Sequence, residues 1–214
     1  MSKDIKIWTY NPKSNGARLL ANAMDCKIIK HENSQFKGDR HKTVVNWGSS
    51  KVPDEVLKCA IINHPKHISI IKDRYQMFKH LGNHFDVPAY TNNAFEAQKW
   101  IEAGAFLFEK DGIYSWDVKP TSIIRLHQMD GRTIYVQNKA GKEASLAQGT
   151  KDMIKRLVED VRGLLKLHFC AVTIGWVEVT NRAYILDVNT APELDPVVAS
   201  VYANNLALLI GEKK

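Results

Sequence analysis

Cysteine is scarce in this chain, and the usual glycine-rich phosphate loops are missing. The three cysteines, Cys26, Cys59 and Cys170, are widely spaced among apolar residues. This odd number, without any zinc-type spacing, excludes a disulfide framework and a zinc motif, so we expect reduced core cysteines and a cytoplasmic location. The one candidate phosphate loop, YNPKSNGARLL, lacks the Lys-Ser/Thr pair of a Walker A motif and any G-x-G-x-x-G.

Long apolar runs are also missing. The longest runs, such as LALLI, are far too short to cross a bilayer, and DIKIWTY near the N-terminus has the pattern of a strand rather than of a signal peptide. We therefore expect no membrane partner. Hydrophobic residues make up 44% and charged residues 25% of the 214 positions, which is ordinary for a globular protein of one domain or two small ones.

Positive charge is what the chain has in excess, with a formal net charge of +7. The lysines and arginines are spread along the sequence, and no RNP, zinc-finger or helix-turn-helix pattern accompanies them. This argues against a nucleic-acid partner, although salt-sensitive binding to DNA would reverse the argument. A diffuse positive charge suits a site for polyphosphate or an acidic protein partner equally well.

The stretch YILDVNTAPELDP, residues 184–196, ends a strand in two polar side chains. Asp187 and Asn189 are two residues apart, so they share one face of the strand, while Leu186 and Val188 share the other. A carboxylate and an amide oxygen are hard ligands that suit Mg²⁺. The same pattern also fits an Asx-rich turn that caps the next helix.

Alternating runs predict two antiparallel hairpins. SIIRLHQMDGRTIYVQNK contains an Asp-Gly pair at 130–131, the strongest short hairpin signal, and HFCAVTIGWVEV-TNR-AYILDVN forms the second hairpin. A basic amphipathic helix over 151–167 separates them, and a last helix starts near Pro196. We expect both hairpins in one central sheet with the helix at 151–167 on its outer face, which excludes a wholly parallel layout.

The N-terminal part predicts a small α/β unit. The strands IKIWTY, CKIIKH and TVVNWG are separated by loops and by a helix at GARLLANAM. PKHISIIKDRYQMFKHLG then has helical spacing from Pro65 to Gly82, and AFEAQKWIEAG is a second helix that Gly104 ends. AFLFE is the next strand.

The order of these blocks resembles the ATP-grasp superfamily, and within it the small ATP-grasp proteins of bacteriophages. VNWGSS and DVNTAP are the specific pieces. The resemblance implies an α+β, ATP-grasp-like fold in which antiparallel sheets with packed helices follow a small N-terminal α/β lobe at 1–62. A reduced ATP-grasp domain at 63–214 would comprise a small lobe at 63–120 and a metal- and phosphate-binding lobe at 121–214.

The resemblance also implies ATP and Mg²⁺ as cofactors. Asp187 and Asn189 would hold Mg²⁺ against the β- and γ-phosphates, while the protein phosphorylates a small-molecule or peptide carboxylate and an amine displaces the phosphate. The cations expected there are Lys72, Lys110 and Lys139 for the nucleotide, with Arg125 and His127 contacting phosphate or substrate.

Each of these side chains also has a structural interpretation. Lys72 fits a solvated lysine on an amphipathic helix, and Lys110 fits an edge charge beside two acids. Arg125 fits the polar face of a hairpin, and a lone histidine such as His127 is more often structural than catalytic.

Three departures from the family pattern bear on activity. Only DGIYSWDVKPTSII stands where a glycine-rich lid and hinge are usual, so these elements are expected to be short. Thr173 stands where a second acidic metal ligand is usual, which weakens Mg²⁺ binding. Glu193 stands where a glycine is usual, and it or Asp195 would supply the missing carboxylate.

Two functions follow from the residues and the resemblance together. The first is an ATP-dependent carboxylate–amine ligase with a reduced lid, favoured because Lys72, Arg125, Asp187 and Asn189 are all present. The second is a degenerate ATP-grasp pseudoenzyme of phage origin that inhibits or binds an acidic host or viral protein in the host cytoplasm. We also expect Lys72, Arg125, Lys139, Asp187 and Asn189 to converge on one cleft.

Overall fold

The first of three sheets is parallel and lies near the N-terminus. A computed structural model describes residues 4–138 and 146–212. The strands of this sheet have the order β2-β1-β3-β4. Its elements are β1 (Ile5–Thr9), α1 (Asn15–Ala23), β2 (Lys27–Ile28), β3 (Thr43–Trp47), α2 (Asp54–Leu57) and β4 (Ala60–Ile62).

The helix predicted from Pro65 to Gly82 is two helices, so its continuity was wrong. They are α3 (Pro65–Lys72) and α4 (Arg74–Leu81). Asp73 between them has extended backbone angles, and its carboxylate accepts a hydrogen bond from the N–H of Gln76 at 3.0 Å. Asp73 therefore acts as an N-cap, which starts a new helix where the apolar spacing alone indicates one continuous helix.

A small antiparallel sheet with the order β5-β7-β6 follows. The N-cap Asn93 accepts hydrogen bonds from two N–H groups of α5, and Gly104 follows the helix with φ of +87°. The strand β7, in the segment expected to replace a lid, was not predicted. The elements are β5 (Tyr90–Thr91), α5 (Ala94–Glu102), β6 (Leu107–Lys110) and β7 (Ile113–Trp116).

Both predicted hairpins lie in one antiparallel sheet with the order β11-β10-β8-β9, which confirms the α+β prediction. Asp130 and Gly131 both have positive φ, 44° and 84°, as a two-residue hairpin turn requires. The elements are β8 (Ser122–Met129), β9 (Arg132–Asn138), α6 (Gln148–Leu164), β10 (Phe169–Val177), β11 (Arg182–Asn189) and α7 (Pro196–Glu212).

Different helices pack on the two faces of this sheet. α6 packs on one face, where Val158 and Val161 belong to the same buried cluster as Leu126 and Val172. This confirms the predicted place of that helix. On the other face α7 supplies Tyr202 to a second core, described next. The part of that face nearest Asp187 carries polar residues.

The second core joins the first sheet to the C-terminal sheet. Ile7 and Val45 of the parallel sheet share it with Phe169 of β10 and Tyr202 of α7. This core contains residues from both sides of position 62, so the domain boundaries given above stay a prediction. Of the three free cysteines, only Cys170 is buried; Cys26 and Cys59 are half-buried.

No helix in the described ranges is both long and apolar enough to cross a bilayer. The cytoplasmic location stays a prediction.

Candidate functional site

Three polar side chains form a row across the C-terminal sheet. Arg125 of β8 pairs in register with Thr173 of β10, and Thr173 pairs with Asp187 of β11. Directly opposed residues of antiparallel strands project from the same face, so all three side chains share one face. Arg125 Nε donates a hydrogen bond to Thr173 Oγ1 at 3.3 Å. A cation and a carboxylate thus flank a hydroxyl on one surface.

A β-bulge shapes the Asp187 end of this row. The register passes from Thr173–Asp187 to Ile174–Ile185, which leaves Leu186 as an extra residue. A Cβ on Gly175 would lie 3.0 Å from Leu186 Cδ1, so Leu186 lies on the same side of the sheet as the row. The alternation predicted for Leu186 was therefore wrong.

Arg74, at the start of α4, fills the space beside the bulge. Its Nη2 donates a hydrogen bond to the Leu186 carbonyl at 3.0 Å, and its Nη1 lies 3.5 Å from Asp187 Oδ1. The guanidinium also stacks 4.7 Å from the Phe78 ring centroid. Burial lowers the pKa of Arg74 and the Asp187 carboxylate opposes that shift. Arg74 is the main cation at Asp187 that sequence analysis missed.

Lys110, at the end of β6, is a second cation at the same carboxylate. Its Nζ lies 3.7 Å from Asp187 Oδ2, and its side chain is 56% exposed. A long exposed side chain exchanges partners at little cost, because a surface ion pair contributes little stability. Lys110 therefore reaches Asp187 from the small sheet, and its predicted contact with the nucleotide stays a prediction.

Asn189 continues the face of Asp187, because it pairs with Ala171, two residues from Thr173. Its Oδ1 accepts a hydrogen bond from the N–H of Ala191 at 2.8 Å, which is the Asx turn that the sequence also indicated. An amide oxygen has a second lone pair, so the turn leaves Asn189 able to bind a cation.

The loop after Asn189 is held by the first sheet. Gly48, directly after β3, has φ of +77°, and a Cβ there would lie 2.6 Å from the Cβ of Ala191. Glycine is required at this position by both the left-handed backbone and the close approach. The two sequence pieces VNWGSS and DVNTAP therefore pack against each other.

Lys72 lies at the end of α3, beside a cavity of about 550 Å³ that Arg74 and Asp111 also line. Lys72 is exposed, and no ion pair joins it to Asp187. Its predicted contact with the nucleotide stays a prediction, and so does that of Lys139, which lies outside the described residues.

His127 lies on the same sheet face as Arg125, two residues along β8, where Tyr202 of α7 packs against it. It is 1% exposed, and its Nδ1 lies 2.9 Å from the hydroxyl of Tyr202. Burial, with a smaller contribution from Arg125, lowers the pKa of His127 to about 4. The ring is therefore neutral at pH 7 and does not supply a positive charge to a phosphate.

The donors present suit an Mg²⁺ ion that arrives with phosphates better than one bound by protein alone. Asp187 is the one carboxylate in the row, and no three His, Cys, Asp or Glu side chains within the described ranges could hold a metal together. Mg²⁺ commonly takes one or two protein carboxylates and completes its shell with phosphate oxygens and water. Asp187 and Asn189 fit that pattern.

No protein-family model matches the sequence, and no curated protein matches it. Solved structures do match the fold. The ATP-grasp ligase PsnB, complexed with a minimal precursor, Mg and ADP, is 12% identical over 100% of this chain and 98% of its own, with a TM-score of 0.68.

Two further neighbours come from named organisms. The macrocyclase MdnB from Microcystis aeruginosa is 13% identical over 94% of this chain and 97% of its own, with a TM-score of 0.62. The D-alanine-D-alanine ligase from Aeromonas hydrophila is 10% identical over 96% of this chain and 99% of its own, with a TM-score of 0.71. The chain therefore has the ATP-grasp fold. None of these three structures is described as a bacteriophage protein, so that part of the resemblance stays a prediction.

Proposed function

We propose that this chain, which has the ATP-grasp fold, is an ATP-dependent ligase that joins a carboxylate to an amine. One observation carries the proposal: Arg125, Thr173 and Asp187 form a row on one sheet face, and Arg74 and Lys110 meet at its Asp187 end. Two cations, Arg74 and Lys110, contact one carboxylate, that of Asp187, so cations are in excess at this end of the row. Such an excess suits a polyphosphate that brings its own divalent cation.

The roles of the residues follow from these positions. Asp187 and Asn189 would hold Mg²⁺, which would neutralise charge on the β- and γ-phosphates. Lys110, the more exposed partner of Asp187, would move to phosphate oxygens, while Arg74 would keep the bulge in place through the Leu186 carbonyl. Arg125 would hold the substrate carboxylate at the other end of the row.

The proposed reaction has two steps. An oxygen of the substrate carboxylate forms a bond to the γ-phosphorus. At the same time the bond between the γ-phosphorus and the β–γ bridging oxygen breaks, and ADP leaves. An amine then attacks the acyl carbon, loses a proton and expels phosphate, forming an amide. Lys110 and Arg125 would stabilise the charge that develops on the transferred group.

A second candidate is a nucleotide-free binding protein with the same fold. The observation in its favour is that Asp187 already has two cationic partners, while a neutral Thr173 stands beside it. In this alternative the ion pairs are structural, and the positive surface binds an acidic protein partner.

The decisive experiment supplies Mg·ATP, pooled carboxylates and hydroxylamine. Hydroxylamine captures an acyl phosphate as a hydroxamate without requiring the natural amine. We expect hydroxamate and ADP to form in equal amounts and only with Mg²⁺ present. If millimolar Mg·ATP neither binds in isothermal titration calorimetry nor yields ADP, the ligase proposal fails and the binding protein remains.

A further inference from the structure

A cavity of about 330 Å³ lies where the end of α5 meets the start of β6 and the end of β7. Three of its lining side chains are aromatic, Trp100, Phe106 and Trp116. Trp116 pairs with Leu107, which is three residues before Lys110, so Trp116 projects from the sheet face opposite to Lys110. Trp116 therefore faces away from the proposed nucleotide site, and none of the lining residues belongs to the row.

The two tryptophan rings of this cavity stand at a right angle. The ring centroids of Trp100 and Trp116 are 5.9 Å apart, and the angle between the ring planes is 88°. Two perpendicular planes form a corner, to which Phe106 adds a third ring. Phe106 is 65% and Trp116 is 45% exposed. Large aromatic side chains gain free energy when they leave water, so exposed rings around one cavity indicate a surface that a ligand covers.

A cation of the chain itself already lies on this aromatic surface. Lys119 Nζ is 4.7 Å from the centroid of the Phe106 ring. The backbone of Lys119 has a φ of +47°, and its N–H donates a hydrogen bond to Asp117 Oδ1 at 2.9 Å, which is an Asx turn. The Phe106 ring is therefore accessible to a positive charge. Because Lys119 is exposed, another cation can replace it over the ring at little cost.

Asp117 is the one carboxylate among the described residues that line the cavity. Its Oδ1 is used by the turn, and Asp117 takes part in none of the ion pairs that join described residues. The faces of aromatic rings and a carboxylate both attract positive charge. An uncharged apolar ligand would use the rings but gain nothing from Asp117. The combination therefore favours a cation with an apolar surface.

We propose that this cavity binds a quaternary ammonium group, the cation of choline and of trimethylated lysine. Its methyl groups would pack on Trp100, Phe106 and Trp116, and its charge would face Asp117. A primary ammonium group is strongly hydrated and loses more free energy when aromatic rings replace its water, so the methylated group is preferred. Lys119 would leave the Phe106 ring when the ligand enters, which makes it an internal competitor of the ligand.

The test uses the full chain and two pairs of probes. Choline is compared with 3,3-dimethylbutan-1-ol, which has the same shape without the charge, and a short peptide with trimethylated lysine is compared with the same peptide unmethylated. Binding is followed by NMR through the indole N–H signals and through the methyl protons of choline, which ring currents shift upfield. We expect a Kd of about 1–10 mM for choline and at least tenfold weaker binding of the neutral alcohol.

Four variants separate the contributions to binding. Trp116→Leu should weaken choline binding at least tenfold, and Asp117→Asn, which can keep the Asx turn, should weaken it about threefold to tenfold. Lys119→Ala should strengthen binding about threefold to fivefold because it removes the competitor, a gain that unfolding cannot produce. Lys99→Ala is the matched control, since Lys99 Nζ lies 4.6 Å from the Phe95 ring, and neither residue lines the cavity. It should leave choline binding unchanged.

The outcomes decide both the site and the source of the ligand. Binding of choline supports a free metabolite, and binding of the trimethylated peptide alone supports a modified protein; both keep the proposal. The proposal is overturned if neither probe binds at about 50 mM, a concentration well above the expected Kd. It is also overturned if the neutral alcohol binds as well as choline, or if Lys119→Ala and Lys99→Ala have the same affinity. Asp187→Asn should bind choline as the parent does, so loss of ligase activity does not affect this test.

Discussion

Asp187 and Glu193 lie six positions apart in the sequence, yet their carboxylates have opposite surroundings. Asp187 is partnered by Arg74 and Lys110, whereas Glu193 borders a cavity and forms no ion pair within the described ranges. Charges that the protein neutralises itself must exchange partners when a ligand binds. Charges that face a cavity can bind a ligand directly. The difference separates a carboxylate that the protein has already paired from one that stays available to a ligand.

Removing the charge of Asp187 has the largest expected effect. Asp187→Asn should lower ATP-dependent turnover by about a hundredfold or more, because Mg²⁺ depends on ligand charge and Asp187 is the one carboxylate of the row. Asp86→Asn is the matched control, since the Asp86 carboxylate lies 3.8 Å from Arg182 Nε and forms no ion pair with Arg74, Lys110 or Arg125. ADP formation and Mg²⁺-dependent nucleotide binding are the measurements. Equal activity of Asp187→Asn and the parent would reject the role of Asp187.

Arg74 and Lys72 provide a comparison of a paired cation with a solvated one. Arg74→Met should lower the free energy of unfolding by about 2–3 kcal/mol, because the Leu186 carbonyl and Asp187 both lose a partly buried partner. Lys72→Met should change it by less than about 0.5 kcal/mol, as is usual for an exposed lysine. Urea denaturation measures both. A larger effect at Lys72 would contradict the geometry.

The buried side chain of His127 makes the stability of the protein depend on pH. Its pKa is about 4 in the folded protein and 6.5 in an unfolded chain, so the unfolded state takes up the proton first as the pH falls. Between pH 6.5 and 4 this histidine should therefore cost stability, by about 2–3 kcal/mol at the lower end. His127→Gln should lose that part of the acid sensitivity, and the exposed His84→Gln should keep it. Denaturation at pH 7 and near pH 4.5 compares all three proteins, and identical pH profiles would contradict the prediction.

Replacing Thr173 with an acidic residue is expected to have the smallest effect of these changes. Thr173→Glu places a second carboxylate next to Asp187 and should strengthen Mg²⁺-dependent nucleotide binding about tenfold, since affinity follows the number of charged ligands. Thr173→Gln has nearly the same size without the charge and should give no such gain. Calorimetric titration of Mg·ATP decides between them. Equal affinities would show that metal charge does not limit binding here.

Local patterns predicted much of the C-terminal sheet and part of the site. Alternation placed Asp187 and Asn189 on one face, and the Asp-Gly turn located the first hairpin, because strand periodicity and turn geometry depend on neighbouring residues. Arg74 was missed because its role depends on a bulge at Leu186, more than a hundred residues away. The signal for the break between α3 and α4 was present, since Asp73 precedes Gln76 as an N-cap precedes N3.

The burial of His127 and the cavity beside it could not be predicted from the sequence. His127 was placed correctly beside Arg125 on β8, but its burial depends on Tyr202 of α7, which packs over it from the far end of the chain. The cavity with Glu193 likewise needs β8, β9 and the α7 loop together. Such features require tertiary packing, which periodicity does not report.

The core shared by Ile7, Val45, Phe169 and Tyr202 has a consequence for how the chain is made. The parallel sheet is synthesised first, and α1 packs in this core too, but the core is completed only by β10 and α7, which leave the ribosome much later. Until then part of that apolar face is exposed to water and to other nascent chains, a situation in which chaperones commonly bind. The first strands to be made are thus among the last to be fully enclosed, and α7 completes the N-terminal lobe as well as the C-terminal one.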